Sequence, residues 1–173
     1  MDRRDEAIGR ISRLSDIVDL TAHCERNQNS DLRVACWLKL GNWTIELSNS
    51  PGSSLPETLQ TEVLTAFKRA TAAKPNEYKA WHAWALINFR LANQLNDKIN
   101  ATKADMGLSS RQRHSKISTK SLGHHVVAAV QGFVRAISLG TKRWSASVQQ
   151  DMLNLLTVSF AQLGYILRKI RYI

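Results

Sequence analysis

Apolar residues return every three or four positions along most of this chain, and proline, glycine and serine gather where one such stretch gives way to the next. That period predicts an all-α protein. A first helix is expected from about Asp5 to Glu25, with Ile8, Ile11, Leu14 and Val18 on one side. A second is expected over Ser30 to Leu40, where Leu32, Cys36 and Leu40 share a stripe. The cluster Ser48-Asn49-Ser50-Pro51-Gly52-Ser53-Ser54 breaks the pattern, and Pro56 suits the first position of the next helix. That helix carries Leu59, Val63, Phe67 and Ala70 on one face. Pro75 should end it, with Asn76 as N-cap of a long helix reaching about Asn100. On the long helix Trp81, Trp84, Ala85, Leu91, Ala92 and Leu95 fall within one arc, and Lys79 and Arg90 point away from it. Further on, Val127, Val130, Val134 and Ile137, then Met152, Leu156, Phe160 and Leu163, predict two more amphipathic helices parted by Gly140.

Taken in pairs, these elements make about three helical hairpins, none of which can bury its own apolar face. Stacking solves that problem, so the expected architecture is tetratricopeptide-like α-α hairpin repeats, an α-solenoid segment. Trp37-x-x-Leu40-Gly41 matches the first half of the tetratricopeptide consensus, and Ala66, Phe67, Ala70 and Pro75 follow its second half loosely. The 34-residue period itself does not recur cleanly.

Charge changes the picture in one place. The chain carries 24 Lys and Arg against 14 Asp and Glu, a formal net charge of +10, which favours anionic partners. Between Lys98 and Leu122 the basic residues Lys98, Lys103, Arg111, Arg113, Lys116 and Lys120 face a lone acid, Asp105, the composition of a solvated linker. No aromatic residue is interleaved with those cations, which argues against single-stranded nucleic acid as the partner. Cys24 and Cys36 lack the paired spacing that zinc requires and read as buried thiols. No charged-then-apolar leader opens the chain and no apolar run approaches the roughly 18 residues of a membrane span, so a soluble, cytoplasmic protein is expected. A Gly-rich phosphate loop, a His-Arg-Asp catalytic loop and an Asp-Phe-Gly motif are all missing from the sequence, so an enzyme is not expected of this chain alone.

The chemistry-bearing residues have bland readings as well as sharp ones. Trp81 and Trp84 could form an aromatic platform, but rings three residues apart among alanines more often wedge against the small residues of a neighbouring helix. No Asp or Glu is spaced to orient His82 as a base. His124 and His125 are adjacent, so on a helix their rings diverge by about 100° and cannot share a metal; capping or surface roles are expected. Asn88 falls inside the apolar arc, where an unpaired amide costs about 1–3 kcal/mol, so it requires a partner on the backbone or on a facing helix.

Three blocks carry a family resemblance. Tyr78-Lys79-Ala80-Trp81-His82-Ala83-Trp84-Ala85 resembles a helix of the FAT region of target-of-rapamycin (TOR) kinases. The run from Arg33 to Trp43, through Leu38-Lys39-Leu40-Gly41, is similar to a turn of that region, and Ala129-Val130-Gln131-Gly132-Phe133 leading to Ile137-Ser138-Leu139 is similar to another of its helices. The resemblance divides the chain into an N-terminal helix at 1–32, where it is weak, FAT-like helical hairpins at 33–100, a flexible basic linker at 101–121, a FAT-like helical pair at 122–163 and a divergent basic tail at 164–173. It implies a fragment of a Ser/Thr protein kinase of the phosphatidylinositol 3-kinase-related type. The implied role is a non-catalytic scaffold for growth and nutrient signalling, supporting the kinase domain and contacting other subunits of its complex. It also implies a basic pocket for inositol hexakisphosphate, an inositol polyphosphate ligand, with Lys79 as the matching residue; no other cofactor and no metal is implied. The rival reading from another class is a free-standing tetratricopeptide-like adaptor that binds peptides.

Overall fold

The computed structural model describes residues 9, 13, 30–48, 55–105, 108–140, 150, 153–161 and 164, with side chains placed at 30–46, 55–101 and 120–140 and at the remaining single positions and 153–161. All regular structure among these residues is helical, as the apolar period requires. The longer elements are α1 (Ser30–Ser48), α2 (Glu57–Ala73), α3 (Tyr78–Asp105) and α4 (Leu108–Gly140). Residues 153–161 are also helical. Of the helix expected from Asp5 to Glu25, only Gly9 and Arg13 are described; both are helical, and Arg13 Nε donates to the Gly9 carbonyl at 3.3 Å.

The chain forms two compact units, Met1–Trp84 and Ala85–Ile173, with α3 contributing its opening turns to the first and its remainder to the second. In the first unit α1 packs on α2. The core joins Val34 and Trp37 of α1, Ala66 and Ala70 of α2 and Ala80 of α3, with Leu38, Leu40 and Ala73 alongside. Arg69 lies 4.9 Å from the centroid of the Trp37 ring, so the guanidinium covers the edge of the core with a cation–π contact.

The face of α1 that turns inward is not the expected one. Val34, Trp37, Gly41 and Thr44 are buried, whereas Leu32 is 59% exposed and Cys36 and Leu40 are only partly covered. The helix also continues past Leu40 to Ser48, so Gly41-Asn42-Trp43 lies inside it instead of forming a turn. The inward face has a cause in packing. A Cβ built on Gly41 would stand 2.4 Å from the Phe67 ring, so α1 and α2 meet where glycine leaves room for an aromatic ring. A face containing glycine and threonine is invisible to a count of large apolar residues. Thr44 is reconciled with burial by donating its hydroxyl to the Leu40 carbonyl at 2.9 Å.

On α2, Val63, Phe67 and Ala70 are buried as expected, with Ala66 and Thr71 beside them. Pro56 occupies the N-cap, and its carbonyl accepts from the amides of Leu59 and Gln60. Lys74 is the C-cap, ahead of Pro75. The expected N-cap of α3, Asn76, is displaced by Glu77. The Glu77 carbonyl accepts from Ala80 and Trp81, and its side-chain Oε1 accepts from the Lys79 amide at 3.4 Å. Glutamate is a less common cap than asparagine, but here it is also held by Lys74, whose ammonium lies 3.7 Å from Glu77 Oε2.

In the second unit Ala92 of α3 packs with Leu122 and Val126 of α4, flanked by Leu95 and Ile99. Phe89 and Phe133 meet edge to face with centroids 6.3 Å apart. Here too the inward stripe differs from the expected one. Leu122, Val126, Ala129, Phe133 and Ala136 are buried, while Val127 is 40% and Val134 is 48% exposed. The second stripe lies only one residue, or about 100°, from the first, and the larger valines outweigh the alanines in any apolar count. Alanine prevails because the helices approach closely: a Cβ on Gly132 would lie 2.9 Å from Ala85 Cβ and 3.1 Å from its Cα. In the last helical stretch Phe160 is half exposed and Ser159 is buried, its hydroxyl bonded to the Leu155 carbonyl at 2.9 Å; Met152 and Leu163 lie outside the described residues.

Helical backbone also occupies much of the stretch read as a basic linker, running to Asp105 and resuming from Leu108. The lack of apolar anchors that suggested a linker does not prevent helix formation in a segment built largely from residues of fair helix propensity, such as Lys, Arg, Gln and Ser.

Candidate functional site

Lys79 stands in the first turn of α3 with an exposed side chain. The charged groups placed nearest in the chain are of mixed sign. Lys74, just past α2, forms an ion pair with Asp31 in the first turn of α1 and approaches Glu77 immediately before α3. The hydrogen bond to Asp31 leads the effects that raise the Lys74 pKa above its ordinary value. Lys68 and Arg69 are exposed on α2, with Arg69 committed to Trp37, and Arg90 is exposed on the part of α3 that belongs to the second unit. In the first unit the cation five positions before Lys79 is thus accompanied by two acids.

The two signature tryptophans are half-buried. Their alanine neighbours Ala80 and Ala85 are the fully buried positions. Trp81 donates its indole Nε1–H to the Pro75 carbonyl at 2.8 Å, which ties the start of α3 to the connection that precedes it. Among the described residues the deeply buried indole is Trp37. Lys39 lies 4.9 Å from the centroid of the exposed Trp43 ring. His82 is half-buried, and burial holds its pKa below the usual imidazole value. Among the described residues no three His, Cys, Asp or Glu side chains come together as a metal site, and no helix is long and apolar enough to cross a membrane. Cys36 is a partly covered free thiol, not a buried one, and Cys24 lies outside the described residues.

The polar pair in the core of the second unit is the feature that sequence reasoning reached only by half. Asn88 is 1% exposed, and its Oδ1 lies 2.9 Å from His125 Nδ1. One partner of the Asn88 amide is therefore a side chain on the facing helix. His125 is thus half-buried and bonded inward, unlike the surface position expected of it, whereas its neighbour His124 is exposed as expected. The imidazole rings of His124 and His125 sit edge to face, 5.7 Å apart. Burial lowers the His125 pKa, and the charge of His124 lowers it further.

The described residues are helical, meet at small-residue crossings and gather no three His, Cys, Asp or Glu side chains as a metal site. In comparison with known families, residues 6–157 match the FAT domain, and the chain belongs to that family. The relatives it matches are TOR kinases. It is 33% identical over 138 residues to the serine/threonine-protein kinase mTor of Drosophila melanogaster, covering 78% of this chain and 5% of that protein. It is 29% identical over 146 residues to TOR2 of Saccharomyces cerevisiae, covering 75% of this chain and 6% of that protein. With tor1 of Schizosaccharomyces pombe the identity is 27% over 153 residues, covering 88% and 6% respectively. The chain therefore spans about one-twentieth of the length of these relatives. The recognition made from the tryptophan helix and its two companion blocks is the one that these comparisons give.

Proposed function

We propose that this chain is a non-catalytic scaffold segment of a TOR-type Ser/Thr kinase, supporting the kinase domain from within the same polypeptide and presenting helical surfaces to complex subunits in cytoplasmic growth and nutrient signalling. The observation that carries the reading is the FAT-domain match over residues 6–157, together with relatives that bear kinase names. The helical pairs of each unit suit a tetratricopeptide-like arrangement, in which each pair offers a face to the next. A segment exchange tests it. Replacing the matching stretch of the Drosophila relative with this chain should preserve folding and a measurable fraction of kinase activity. A chimera that fails to fold, beside an isolated chain that binds extended peptides, would favour the free-standing adaptor.

The proposal includes a contact from Lys79 to inositol hexakisphosphate. Exposure of Lys79 and its place in the matched Tyr-Lys-Ala-Trp block support it, while Asp31 and Glu77 close to Lys74 weigh against a strongly cationic pocket. A ligand that binds the folded state raises its melting temperature by linkage. Inositol hexakisphosphate should raise the Tm of the parent chain more than that of Lys79→Ala; equal shifts, or none, remove the contact and leave the scaffold reading standing.

A further inference from the structure

We propose that the Asn88–His125 pair is a proton-sensitive latch between α3 and α4 in the second unit, holding the two helices together while His125 is neutral and letting them part more readily when a charge is buried there. The argument starts from geometry. Asn88 is sequestered at 1% exposure, and the imidazole of His125 meets its Oδ1 at 2.9 Å. With Oδ1 as acceptor, Nδ1 carries the hydrogen and Nε2 holds the lone pair that would take up a proton. Protonation therefore leaves the Nδ1–H bond in place. What it adds is a positive charge beside an uncharged amide, next in sequence to the buried Val126 and within a helix pair whose core is Ala92, Leu122 and Val126. The amide supplies no countercharge, and a second imidazole lies 5.7 Å away.

The surrounding charges do not reverse this. On α3 within this unit, Arg90, Asp97 and Lys98 are exposed, and on α4 so are Lys120, His124 and Arg135. Of these, His124 is the one whose charge bears on His125, and it acts in the same direction as burial. Residues 153–161 contain no ionisable side chain. The folded state thus holds His125 as a weaker base than the unfolded chain does, so the unfolded chain takes the proton first as pH falls. The latch is at full strength above about pH 6.5, the ordinary imidazole value, and weakens progressively below it.

Hydrogen exchange on the whole chain, followed by mass spectrometry between pH 7.5 and 5.0 and corrected for intrinsic rates, reads the second unit separately from the first and so from His82. In the parent chain, protection factors across residues 85–101 and 122–140 should fall with acid, by up to about tenfold per pH unit where one proton is linked to opening. His125→Gln retains an amide donor for Asn88 without a titrating group and should flatten this dependence. Asn88→Asp supplies the missing countercharge and should reverse its sign, protecting the unit as His125 becomes charged. Protection that does not change with pH in the parent chain, or the same acid loss in His125→Gln, would overturn the latch. So would an undiminished acid loss in a folded Asn88→Asp variant. If Asn88→Asp does not fold, the comparison of the parent chain with His125→Gln decides alone.

Discussion

Single residues set the spacing of these helices. Gly41 and Gly132 mark crossings where even a methyl group would meet Phe67 or Ala85. Gly41→Ala should destabilise the first unit by about 1–3 kcal/mol through overpacking, despite its better helix propensity. Phe67→Leu in the same chain should recover part of that loss, and chemical denaturation of the single and double variants checks both. Trp37 is the indole that fills the first core, so Trp37→Ala should cost about 3–5 kcal/mol. Trp84→Ala, at a half-buried position, should cost clearly less, although the sequence alone would rank the two signature tryptophans as the structural ones. The reason is visible in α3. Ala80 and Ala85, on either side of the two rings, reach full burial, and the rings do not.

At the level of the element, the helices were legible, and their inward faces only in part. Periodicity located α2 and its face because Val63, Phe67 and Ala70 are both apolar and buried. On α1 and α4 two apolar stripes lay within about 100° of each other, and period alone did not choose between them. The winning stripes contain Gly41, Thr44, Ala129 and Gly132, residues that score low on hydropathy but permit close approach. The Asn88 problem was readable from its position in an apolar arc, but its answer on His125 was not, since a partner 37 positions away depends on how two helices register. This view of α4 gives a direct test. Val134→Lys should change stability by less than about 0.5 kcal/mol, whereas Val126→Lys should prevent the second unit from folding, because one side chain is half exposed and the other fully enclosed. Thermal denaturation of the two variants distinguishes the stripes.

For the whole molecule, both half-buried histidines act on stability with the same sign. Burial makes His82 and His125 weaker bases in the folded state than in the unfolded chain, so their contribution is complete above about pH 6.5 and declines as pH falls below it. A pH series of melting temperatures should therefore slope downward on the acid side, with a shallower slope in the His82→Gln, His125→Gln double variant.

The division into two units also has an optical consequence. Trp37, Trp43, Trp81 and Trp84 all belong to Met1–Trp84, and Trp144 is the one indole of Ala85–Ile173. Replacing it with phenylalanine would leave a chain whose tryptophan emission comes from the first unit alone, while its ellipticity at 222 nm still sums the helices of both. Two ordinary spectrometers would then tell loss of the first half from loss of the whole, with no dye or label attached.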